Sequence, residues 1–177
     1  MAEEYKAVIK PGDILIGLLP PEEAPFLPQK RRRQRPIVLL APPEFDSGAG
    51  WVVLTVAHTT LRNPKKDEIK GTFVHITPFR DPATLQGHNG RQQYVDVEKI
   101  FQIHARPEHV NCRIDQEGRM VFLVVDSIGM KGAEAILKKQ QELEYPTKIE
   151  PIWFYRLFER LRPRFRKITP IEPPGSN

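Results

Sequence analysis

Apolar residues in this chain fall in short runs bounded by turn formers, the pattern of strands, until about residue 129, where the spacing becomes helical. Asp13 to Leu19 follows the turn Pro11-Gly12-Asp13 and predicts a first strand. Pro36 to Ala41 and Trp51 to His58, both rich in Val and Leu, enclose a Pro/Asp/Gly turn and predict two buried neighbours joined as a hairpin. Thr72 to Thr77 alternates as a strand. Tyr94 to His104 alternates too, but Val95 and Val97 are out of phase with Ile100, Gln102 and His104, and a bulge near Lys99 reconciles the halves. Val110 to Ile114 and Met120 to Val125 flank the turn Asp115 to Gly118, for about six or seven strands in all. Met130, Ala133, Ile136, Leu137 and Leu143 then predict an amphipathic helix over Lys131 to Leu143, with Pro146 near its end.

Proline and charge divide what remains. Pro20 to Gln34 holds four prolines and reads as a long mobile loop whose basic end can close over a ligand. Pro78 to Gln92 is a second long loop and carries His88. Glu150-Pro151 starts another helix, with Trp153, Phe154, Leu157, Phe158 and Leu161 on one stripe and Arg156, Arg160 and Arg162 facing away, stopped by Pro163. The organisation is a lead-in over 1–10, one mainly β domain over 11–144, and a basic helix with a Pro-rich tail over 145–177.

Charge sharpens the reading of partners. The 177 residues carry a net +5, concentrated in Lys30 to Arg35 and Arg156 to Lys167, which favours an anionic partner such as nucleic acid. A single cysteine, Cys112, excludes an internal disulfide, and no Cys/His cluster has zinc-ligand spacing. The acidic N-terminal residues do not resemble a secretory signal, and no run approaches the ~20 apolar residues of a membrane span. A reducing cytoplasm is the expected setting.

The stretch Arg31 to Thr60 concentrates the candidate chemistry. It leads cations into one strand and brings two hydroxyls, Thr59 and Thr60, out of the other, and a cation beside a hydroxyl can handle a phosphate. Lys30, Arg31, Arg32 and Arg33 are adjacent like charges that an anion would relieve. His58 is a candidate base, yet alternation turns it to the face opposite Thr59. His75 and His104 read as structural residues, and His88 as a loop residue able to touch substrate.

The ordered set of Pro11-Gly12-Asp13-Ile14, Arg35-Pro36 before an apolar strand, a strand closing on Thr59-Thr60, Val74-His75-Ile76 and Glu98 before Ile100 resembles the MazF/PemK family of toxin endoribonucleases over roughly residues 10 to 105. The resemblance implies a strongly curved SH3-like barrel with C-terminal helices. It implies a dimer that cleaves single-stranded RNA without metal or cofactor and is held inactive by an antitoxin. Arg35 then matches the arginine on the scissile phosphate, and Thr59 the strand-end hydroxyl, with Thr60 one register away. Gly12 and Asp13 match residues that shape the first strand, and Glu98 an acidic position beside the substrate. Phe101 stands where the family's segment has arginine, and the 145–177 extension is a further departure. Two other readings stay open: a nucleic-acid-binding barrel without catalysis, and a protein-interaction module docking through the Trp153 stripe.

Overall fold

A computed structural model describes residues 4–17, 35–48, 51–79, 90–107 and 109–149. The basic run Lys30 to Arg33, the expected loop with His88, and the expected helix and tail from Glu150 onward lie outside the described residues. About half of the described residues are in strands.

Among the described residues ten strands form one sheet: β1 (Glu4–Lys6), β2 (Asp13–Gly17), β3 (Arg35–Leu39), β4 (Glu44–Asp46), β5 (Trp51–Arg62), β6 (Phe73–His75), β7 (Gln92–His104), β8 (Cys112–Ile114), β9 (Met120–Ser127) and β10 (Lys148–Ile149). Their order is β1-β9-β2-β3-β5-β7-β10, with β4 also on β5, β6 on β7 and β8 on β9. Pairing is antiparallel except for β10 beside β7. The single helix among the described residues, α1 (Gly129–Glu142), begins two residues before the periodic stretch that predicts it. The expected order of strands followed by a helix holds.

Three elements differ from the sequence expectation. Part of the lead-in is strand, Tyr5 pairing with Leu123. Between β3 and β5 the chain makes β4, which turns back on β5 with Asp46 opposite Trp51. After α1, Lys148 and Ile149 pair with Phe101 and Gln102. Strands of three or two residues are too short to show a period, so only their tertiary neighbours reveal them.

Alternation gives the sheet two apolar faces. One carries Leu15, Ile37, Leu39, Leu54, Val56, Phe101, Ile103, Phe122 and Val124. The other carries Ile14, Val38, Ala57, Val95, Val97 and Ile100, and α1 covers it with Ala133 and Ile136, both 0% exposed. The polar face of α1 holds Lys131, Glu134 and Lys138 in solvent.

The start of α1 is tied to the turn before β2. Gly12 has φ +93° and Gly129 φ +73°, and a Cβ on Gly12 would lie 2.3 Å from the Gly129 carbonyl oxygen. Only glycine takes both the conformation and the approach. The Ile128 N–H donates to the Gly12 carbonyl at 2.8 Å, the Ser127 hydroxyl donates to that same carbonyl at 3.1 Å, and the Gly129 N–H donates to Ser127 Oγ at 3.0 Å. Buried Asp13 closes the other side of the turn, its Oδ2 accepting from the Lys10 N–H at 3.0 Å.

The β8 to β9 turn is closed by Asp115. The Arg119 backbone N–H, first among several groups, holds the Asp115 carboxyl below its ordinary value near 3.8. Arg119 gains in turn, its guanidinium raised by donating to Asp115.

Candidate functional site

Three strands place the candidate residues. In β3 and β5, Ile37 faces His58, Val38 faces Ala57 and Leu39 faces Val56. Carried on toward the start of β3, this register sets Pro36 at Thr59 and Arg35 at Thr60. The hydrogen bond from the Thr59 hydroxyl to the Pro36 carbonyl, 3.0 Å, fits that continuation.

The same register separates the two threonines. Thr59 pairs with Val95, a residue of the helix-covered face, and is 3% exposed. Its hydroxyl is engaged with the Pro36 carbonyl. Thr60 faces Tyr94 and lies on the opposite side, with exposed Arg35 and half-buried His58 in phase with it. Sequence alternation had set His58 against Thr59; with Thr60 as the surface hydroxyl, His58 belongs to the same face.

The next feature is the bulge expected near Lys99. Ala57 pairs with Ile100 and Thr59 with Val95, so His58 alone spans Asp96, Val97, Glu98 and Lys99. Buried Asp96 organises the detour, its Oδ1 accepting from the Glu98 N–H at 3.2 Å. The Val97 N–H donates to the Thr72 carbonyl at 3.0 Å, tying the bulge to the start of β6. Glu98 is half-buried and Lys99 exposed.

Across β7 the face continues into Tyr94, Phe73 and His75, the last of which the sequence alone reads as a structural residue. His75 pairs with Tyr94, their ring centroids 5.3 Å apart and edge-on. Phe73 lies 6.1 Å from Tyr94, and the Arg62 guanidinium sits 5.8 Å from the Phe73 ring centroid. The Tyr94 hydroxyl donates to Gln92 Oε1 at 2.8 Å. The face therefore combines two guanidiniums, two imidazoles, a hydroxyl and an aromatic pair. Phase alone could have flagged Arg62 as the next residue after Thr60 on its side of β5, but Phe73, His75 and Tyr94 converge only through the β6 to β7 register.

The remaining candidates sit elsewhere. His104 contacts Asp46 at 3.3 Å, linking β7 to β4, in keeping with a structural role. Phe101 is 6% exposed within the apolar cluster of the uncovered face, so that position offers packing and no cation. Cys112 is buried. Lys30, Arg31, Arg32, Arg33 and His88 fall outside the described residues. Among the described residues no group of three or more His, Cys, Asp or Glu is placed to hold a metal ion, and no helix is long and apolar enough to cross a membrane.

Chemically, the face can bind an extended polyanion. Arg35 and Arg62 supply charge, Thr60 a hydrogen bond, and the Phe73 and His75 rings, backed by buried Tyr94, a surface on which planar groups can stack. No protein-family model matches the sequence, and no curated protein matches it.

Proposed function

We propose that this chain is a sequence-selective endoribonuclease that cleaves single-stranded RNA without metal, a toxin of the MazF/PemK kind. The observation that carries the reading is the shared face of Arg35, His58 and Thr60, prolonged by the aromatic and basic patch of Arg62, Phe73, His75 and Tyr94. The proposed architecture is a strongly curved SH3-like barrel. In its support, one apolar cluster draws on β2, β3, β5, β7, β8 and β9 with no helix over it among the described residues. A sheet buries such a face by curling on itself. A cytoplasmic homodimer restrained by an antitoxin protein completes the reading by resemblance.

In the reaction, the substrate's 2′-oxygen attacks the adjacent phosphorus while its proton passes to a base. The bond from phosphorus to the 5′-oxygen breaks, that oxygen takes up a proton, and a 2′,3′-cyclic phosphate remains. Arg35, whose planar fork matches two phosphate oxygens, stabilises the charge that builds on them. Thr60 donates a hydrogen bond that orients the phosphate. His58 shares the face and an imidazole can accept or return the proton. Arg31, Arg32, Arg33 and Lys30, which precede β3 in the sequence, add attraction, and His88 and Glu98 contact flanking groups.

Cleavage of a labelled single-stranded RNA in EDTA tests the proposal. Wild-type protein should cut, and Arg35→Ala should lower turnover about a hundredfold or more with an unchanged fold. RNA left intact by wild type under all salt conditions, or an Arg35→Ala variant as fast as wild type, removes the catalytic reading. Burial of Phe101 at the family's arginine position favours the second reading, a barrel that binds RNA without cutting it.

A further inference from the structure

We propose that the loop from Arg62 to Gly71 is a second phosphate-binding element, which holds the backbone of single-stranded RNA beyond the linkage at Arg35. It rests on reading the sheet face as an RNA site, but its readout is binding and does not require cleavage.

The loop is built and held. The Asn63 N–H donates to Asp67 Oδ2 at 2.7 Å, and the Lys66 and Asp67 N–H groups donate to the Asn63 carbonyl at 2.9 and 2.7 Å. The Lys65 N–H donates to Asn63 Oδ1 at 3.0 Å, so one side chain and one carboxylate close the turn from both sides. Pro64 restricts it further. Ordering such a segment on a ligand costs little, because it is already ordered.

The charges it displays are uneven. Lys65, Lys66 and Lys70 are exposed, as is Arg62 at its base. Of the two acidic residues, Asp67 directs its carboxylate to the Asn63 N–H, which leaves Glu68 as the other. Adjacent lysines repel one another, and a polyanion relieves the repulsion.

Position then selects the partner. The loop leaves the sheet at Arg62, two residues beyond Thr60 on the same face, and returns with the Phe73 N–H donating to the Lys70 carbonyl at 3.0 Å. Its two ends thus meet at the Phe73 ring, over which the Arg62 guanidinium lies. A strand whose phosphate sits at Arg35 and Thr60 and whose next base meets Phe73 runs directly onto Lys70, Lys65 and Lys66. Two residues of β5 advance about 6.8 Å, close to one nucleotide of an extended strand. Single-stranded RNA supplies both the phosphates and the unstacked bases this arrangement needs.

The test is fluorescence anisotropy with labelled 2′-O-methyl oligouridylates of about 4 and about 16 nucleotides, which have no free 2′-hydroxyl to attack. Binding is measured across a salt series for wild type, for Lys65→Gln/Lys66→Gln/Lys70→Gln, and for Lys131→Gln/Lys138→Gln on α1, over the other face. Each lost contact flattens the plot of log K against log salt by about 0.7, so the loop triple should flatten it by about 2 on the long strand and by less on the short strand, which has fewer phosphates to share between Arg35 and the loop. The α1 pair should match wild type, and Lys65→Arg/Lys66→Arg/Lys70→Arg should restore its slope, separating charge from damage to the loop. A wild-type slope in the triple Gln variant overturns the proposal. So does an equal flattening by the α1 pair, which would mean diffuse charge, or wild type that binds neither strand. Wild type that binds these strands but leaves ordinary RNA uncut removes the nuclease reading alone, and the slopes still decide this one.

Discussion

Alternation along β5 sends the Thr59 hydroxyl inward to the Pro36 carbonyl and leaves Thr60 on the face of His58, in phase with Arg35. Two neighbours of one chemistry therefore separate into a structural bond and a surface group. Thr59→Val removes a buried hydroxyl that donates to the Pro36 carbonyl, so it should lower stability by about 1 kcal/mol in urea denaturation while leaving RNA binding near wild type. Thr60→Val, on a half-buried position without a hydrogen bond of this kind to the core, should do the reverse: near-neutral in urea and slower in cleavage. The sequence shows the pair plainly, together with Arg35 before Pro36. It does not show which threonine shares the face of Arg35, because that depends on the register of β3 against β5 and not on any period within β5. The same limit hid Phe73, His75 and Tyr94, whose convergence with Arg62 crosses three strands.

Among the elements, the turn before β2 and the first residue of α1 form a joint that only their sequence-distant glycines permit. Gly12→Ala would force a side chain onto a positive φ and against the Gly129 carbonyl. The conformation alone should cost about 1–3 kcal/mol, the collision adding to it, and urea denaturation should show a lowered midpoint with the transition still cooperative. The turn at Pro11-Gly12-Asp13 is visible in the sequence as a turn. Its partner is not, since nothing local to Gly129 marks what it packs on. The bulge in β7 was visible for the opposite reason: apolar residues change phase there, and burial on two faces makes such a change hard to accommodate otherwise.

At the largest scale, the strand-rich body with one helix among the described residues follows from periodicities that extend over many residues, and it is the part read most directly from the chain. β1 and β10 escape because they are brief and borrow their order from β9 and β7. Ile136 is the central anchor of α1 on the sheet, 0% exposed among Ile14, Val38 and Val95. Ile136→Ala should cost about 2–5 kcal/mol in denaturant unfolding, with the helix-covered face losing protection from hydrogen exchange before the rest. The strand order also bears on how the chain acquires its structure. β9, made late, lies between β1 and β2, made first, so Tyr5 has no strand neighbour until Leu123 exists. Closing so long a loop costs about 4 kcal/mol of chain entropy before any contact repays it. During synthesis β3, β5 and β7 can pair as they emerge, while one edge of β2 stays open until β9 arrives. Refolding should thus be governed by this distant closure, and a chain cut short before Met120 would present that bare edge to other copies of itself.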